Sequence, residues 1–116
     1  DNFVFRVRRP SGSNFYPEVR TAASTATVFL SGYYIKTGFS NPQVTTINRN
    51  GPPVSSYLTT SFIPMLDTAG TVALNNIGDM LQIHLTDNTN LHQFRVTMQL
   101  VGLTGNKVSI VLEKLV

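Results

Sequence analysis

From Phe94 to Val101 the chain alternates, with Phe94, Val96, Met98 and Leu100 on one side and Arg95, Thr97 and Gln99 on the other. A period of two is that of a β-strand with one face buried. Turn residues follow in Gly102-Leu103-Thr104-Gly105-Asn106, after which Val108, Ile110 and Leu112 resume the apolar face opposite Ser109 and Glu113. The two runs predict an antiparallel hairpin. Val111 adds an apolar residue to the polar side of the second run. A strand apolar on both faces is ordinarily central or covered, so the pattern places the last strand inside a sheet or at an interface between chains. The chain's end on this strand then reads as an anchor in the core.

The same alternation recurs upstream. "FVFRVRR" sets Phe3, Phe5 and Val7 against Val4, Arg6 and Arg8, and "TATVFLSGYYIK" is a β-branched and aromatic run interrupted by Gly32. A glycine inside a strand signals a bulge or a close backbone approach. "QVTTIN" leads into "RNGPP", where Asn50-Gly51 predicts a turn and two prolines forbid a continuing ladder. "PVSSYLTTSF", "TVALN" and "LQIHLTD" complete a set of eight predicted strands. The nearest approach to a helical period is "FIPMLDTAGTVALNNIGDML", which Pro64, Gly70 and Gly78 break up, so a single helical turn is expected near residues 63–67. The stretch "RPSGSNFYPEVRTAAST" predicts one long loop carrying Phe15 and Tyr16, and long loops in compact domains often carry function. Short strands separated by turn chemistry predict an all-β fold: an antiparallel β-sandwich, jelly-roll-like, of about eight strands.

Length sharpens this picture. The 116 residues suit one domain, large enough to bury roughly two-thirds of its unfolded surface without a metal or disulfide staple. There is no cysteine, which leaves the redox compartment open. Charged residues make up 13%, about half the usual share of roughly 25%, so Thr, Ser, Asn and Gln must cover the surface, as in many extracellular assemblies. The expected setting is extracellular, on a virion or on a cell surface. No apolar run reaches the length of a membrane-spanning helix. The chain lacks an initiator Met and reads as a processed form or a fragment. The net charge of +3 sits at the start: residues 1–36 hold Arg6, Arg8, Arg9, Arg20 and Lys36 against Asp1 and Glu18, and the remainder is balanced.

Candidate chemistry is sparse. A nucleophilic hydrolase needs an activated Ser, Cys or Thr beside a base, whereas this chain has no Cys, two histidines and no Gly-x-Ser-x-Gly. A glycosidase needs two facing carboxylates. Here Asp67, Asp79 and Asp87 fall in or beside predicted turns, where Asp bonds to the backbone. His84, Asp87 and His92 in "HLTDNTNLH" are residue types that zinc accepts, but their spacing fits no compact motif, and a hairpin loop that caps itself explains the segment better than zinc or calcium. The expectation is therefore a non-enzymatic protein with no metal and no cofactor.

Three roles are open to "FRVRR". It can contact single-stranded nucleic acid, with Arg8 and Arg9 on phosphates and Phe15, Tyr16, Tyr33 and Tyr34 on bases; it can be an edge strand protected by its charge; or it can dock on another subunit. Phe15, Tyr16, Tyr33, Tyr34 and Phe39 are the expected contacts for a glycan or a peptide, with Phe15, Tyr16 and Phe39, placed in predicted loops, as the surface anchors.

"KVSIVLEKL" (107–115) resembles the last strand of compact jelly-roll trimers such as the complement-type and tumour-necrosis-factor-like heads, including the collagen-tailed glycoproteins of bacterial spore coats. "FRVTMQLVG...NKVSIVLEKL" is similar to the C-terminal hairpin of knob or fibre domains on phage virions. The resemblance implies a β-sandwich displayed on a particle or cell that associates with copies of itself, with a trimer favoured. On this reading Phe3, Arg6, Arg8, Val111 and Leu115 are the expected contact residues. A glycan- or peptide-binding module is the alternative expectation, and nucleic-acid binding the third.

Overall fold

Among the described residues nine strands form where β-branched and aromatic residues alternate with polar ones. The computed structural model describes residues 3–21, 28–37, 43–51, 62–66, 70–88 and 92–115. Within these, β1 (Phe3–Ser11), β2 (Asn14–Thr21) and the short β5 (Ile63–Pro64) and β6 (Val72–Ala73) make one sheet. The other holds β3 (Val28–Thr37), β4 (Gln43–Gly51), β7 (Met80–Asp87), β8 (His92–Gly102) and β9 (Lys107–Lys114), in the order β4-β3-β7-β8-β9. All pairings are antiparallel. The two sheets pack face to face as the expected all-β sandwich. No helix among the described residues is long and apolar enough to cross a membrane.

The core lies between the sheets. Phe15, Val19 and Val72 point into it from the smaller sheet, and Leu30, Ile47, Ile83, Phe94, Val96 and Met98 from the larger. β7 and β8 alternate buried and half-buried positions along nearly their whole length, which is the periodicity read from "LQIHLTD" and "FRVTMQLV". Gly32 makes the expected close approach. It lies in β3 between Ile47 and Leu85 with φ +154°, and a Cβ there would sit 2.0 Å from the His84 carbonyl oxygen.

Several expectations are corrected. The "RPSGSNFYPEVRTAAST" stretch is no long loop through residue 21: Gly12 and Ser13 form a tight turn between β1 and β2, with Ser11 opposite Asn14. Its prolines do not end the strands, for separate reasons. Pro10 belongs to an edge strand beside a register shift between Arg8 and Ser11, where a missing N–H is tolerated. Pro17 faces Val7, but its carbonyl accepts from Met65 N–H at 3.0 Å on the far side, so the nitrogen also points away from β1 and no donor to β1 is lost. Phe15 is consequently in a strand, 1% exposed, and is a core residue rather than a surface anchor.

Asn50 and Gly51 continue β4 opposite Phe29 and Val28 and make no turn between them. In place of a helical turn, the described residues 63–66 make β5 and a bend. The predicted strand 53–62 lies outside the described residues except at Phe62. Asp79 serves its turn as expected: its Oδ2 accepts from the Asn75 and Asn76 amides at 3.1 and 3.0 Å.

Candidate functional site

The last strand is not interior to its sheet. Among the described residues β9 pairs with β8 alone and is the sheet's edge. Apolar side chains nevertheless occupy both of its faces. Val108, Ile110 and Leu112 lie on the inner face opposite Leu100, Met98 and Val96, and Val111 lies on the outer face opposite Thr97. Only Val108 reaches the core, while Ile110, Val111 and Leu112 remain 46%, 50% and 45% exposed.

The free edge can be read amide by amide. Leu115 donates its N–H to the Gln93 carbonyl at 2.8 Å. Because antiparallel bonds alternate, odd-numbered residues of β9 bond to β8, and the amides of Val108, Ile110, Leu112 and Lys114 point to the unpaired side. Natural edges are usually short, bulged or charged through their middle. This one carries its charges only at Lys107, Glu113 and Lys114.

Between the edges of the two sheets an open cleft of about 340 Å³ is lined by Val7, Phe15, Val108 and Ile110, with Arg9 beside them. Arg9 ties the sheets together across it. Its guanidinium donates to the Gly105 and Asn106 carbonyls at 2.6 and 2.7 Å and lies 4.5 Å from the Phe15 ring centre. It is therefore a cap on the β8–β9 turn, a role its place in "FRVRR" did not suggest.

Arg6 and Arg8 project from the opposite face of β1. Arg6 faces Glu18 across the β1–β2 pair, and Arg8 faces Tyr16. Both donate from Nε to the same Glu18 oxygen, Oε1, with Arg8 at 2.9 Å. The Arg6 guanidinium lies over the Phe62 ring at 3.9 Å and that of Arg8 over the Tyr16 ring at 4.2 Å. Glu18 is 3% exposed although it lies on an outer face, because these stems and rings cover it. Charge, stacking and a bonded carboxylate thus fix two cations on one patch.

On the outer face of the larger sheet a row crosses four strands in register: Tyr33, His84, Arg95 and Glu113. Tyr33 and His84 stack at 4.7 Å and 15°. Arg95 forks onto both Glu113 oxygens at 3.0 Å, which lowers the Glu113 pKa below its ordinary value. Partial burial, and then the positive charge of Arg95, hold His84 below its usual 6.5. The sign follows: the fold favours neutral His84, so this contribution to stability is present above pH 6.5 and is lost as pH falls through the lower folded value. A His84 titration by NMR is expected to show a midpoint under 6.5, and His84→Gln should flatten the stability profile across that window. A midpoint above 6.5 would contradict the assignment.

The remaining expected site residues separate. Phe3 opens β1 opposite Thr21, in the other sheet from β9. Tyr16 lies half-buried under Arg8, and Tyr34 faces the core, while Tyr33 is on the outer face. Leu115 is exposed beside the end of β9. Phe39 lies outside the described residues. His84 and Asp87 are three apart in one strand and fall on opposite faces, with Asp87 buried opposite His92, so the three do not converge on a metal. Glu18 as the organiser of two arginines was not apparent from the sequence, since only the strand register brings residues 6, 8 and 18 together. Comparisons with protein-family models, curated proteins and solved structures find no match for this chain.

Proposed function

We propose that this chain is a non-enzymatic structural or attachment domain that associates with its own copies through β9, in an extracellular, virion or cell-surface setting. The observation that carries the reading is the long free edge with apolar residues on both faces. Pairing with a second β9 supplies acceptors for the outward amides of Val108, Ile110 and Leu112 and covers apolar surface of Ile110, Val111 and Leu112.

Charge selects the register. With Ile110 opposite its own copy on a two-fold axis, Leu112 meets Val108 of the second copy and Glu113 meets Lys107, giving two opposite-charge pairs per dimer. Moving the register by one pair sets Lys114 opposite Val108 and loses both. A strand that pairs with itself gives a dimer. The trimer implied by the resemblance to jelly-roll heads requires β9 to pair with another edge, such as β4.

Sedimentation equilibrium over a range of protein concentrations tests this. The expected mass is twice 12.8 kDa. A threefold mass moves the contact to two different edges, and a single-chain mass at high concentration rejects the proposal.

A further inference from the structure

We propose that the outer face of the β1–β2 hairpin binds the acidic groups of an anionic polysaccharide, with Arg6 and Arg8 as the donors and Glu18 as the residue that positions them. Four observations support it. First, both guanidiniums spend only Nε on Glu18, their terminal amino groups make no hydrogen bond among the described residues, and the side chains are 34% and 54% exposed. Second, one carboxylate shared by two cations leaves the patch positive, on a chain whose excess charge lies wholly in residues 1–36. Third, alternate residues of a strand stand about 6.5 Å apart, a spacing at which two planar forks can grip one sulfate or two neighbouring acidic groups. Fourth, each guanidinium is already seated on a ring and tied to Glu18, so little side-chain freedom remains to be lost on binding.

The same stacking argues against nucleic acid. Single-strand binders place bases on open aromatic faces, whereas the Phe62 and Tyr16 rings are each covered by a guanidinium. An acidic sugar needs the forks alone. The patch lies on the smaller sheet and β9 on the larger, so failure of sugar binding and failure of self-association are separate results.

The test is calorimetric titration of the full chain with a fully sulfated heparin-type decasaccharide at about 50 mM salt, beside a polyuronate and a single-stranded oligonucleotide of matched length. The informative variants keep Glu18 partnered or alter it gently, because removing both arginines would bury a lone carboxylate. Arg6→Lys with Arg8→Lys keeps the charge and loses the forks, and should weaken binding about tenfold. Glu18→Gln adds one positive charge yet loosens both guanidiniums, so it too should weaken binding. An NMR titration in which the Arg6 and Arg8 Nε–H signals shift on adding the sugar supports the site even if Glu18→Gln folds poorly. Binding of the sulfated sugar alone or of both sugars supports the proposal and tells which oxyanion is recognised. It is overturned by no binding of either sugar at low salt, by unchanged affinity in the lysine variant, by tighter binding in Glu18→Gln, or by preference for the oligonucleotide.

Discussion

Gly32→Ala is expected to cost at least about 4 kcal/mol, a large fraction of the roughly 5–15 kcal/mol that holds a domain of this size folded. The reason is positional. The added methyl would lie 2.0 Å from the His84 carbonyl oxygen, with the His84 carbonyl carbon at 2.9 Å and the Leu85 Cα at 3.1 Å. Those are backbone atoms of a strand paired on both sides, β7 between β3 and β8, so nothing nearby can swing aside. The positive φ adds strain of its own. Gly105→Ala is the contrast: φ is +68° in the β8–β9 turn, but nothing lies within 4 Å of the new methyl, and the cost should stay near about 1 kcal/mol. Urea unfolding midpoints of the two variants measure the difference. A Gly32→Ala protein within about 1 kcal/mol of the parent would mean that β3 and β7 do not pair in this register.

The second large effect is on assembly. Ile110→Pro removes an amide that points to the free edge, and Val111→Pro removes one that bonds to Thr97 in β8. The neighbours should therefore behave differently. Ile110→Pro should leave the hairpin folded, costing the isolated chain about 1 kcal/mol, because proline is tolerated where the missing donor faces solvent. In the dimer it deletes both bonds on the two-fold axis, so the dissociation constant should rise about 100-fold. Val111→Pro should instead cost about 3 kcal/mol in the single chain. Sedimentation and urea unfolding read the two effects separately. Equal behaviour of the two variants would place the free amides wrongly.

How much of this was legible in the sequence depends on whether a feature is local. The β8–β9 hairpin was readable because Phe94, Val96, Met98 and Leu100 alternate over a turn of unambiguous chemistry, and all four are buried. Gly32 was readable as a close approach because a glycine among β-branched and aromatic residues has few other reasons to be there. The status of β9 was not. Apolar residues on both faces state that a strand needs cover without saying what supplies it, and here Val108 packs on the core while Ile110, Val111 and Leu112 stay exposed.

Punctuation misled in the N-terminal hairpin. Pro10, Gly12 and Pro17 read as loop, but only Gly12 turns: Pro10 lies at the register shift of an edge strand, and the Pro17 nitrogen points away from β1. That error took Phe15 from the core to the surface, and it hid the arginine patch as well. Arg6, Arg8 and Glu18 meet only when the strands pair with Val7 opposite Pro17, a register that no local pattern announces.

Amide hydrogen exchange along β9 tests the central claim most directly. If two copies pair through this edge, the Ile110 and Leu112 amides, which lack a partner in β8, should become protected as protein concentration rises, while Val111 and Glu113 stay protected throughout. Rapid exchange of Ile110 and Leu112 at every concentration, with Val111 and Glu113 still slow, would show an edge that remains open to water and would contradict the account.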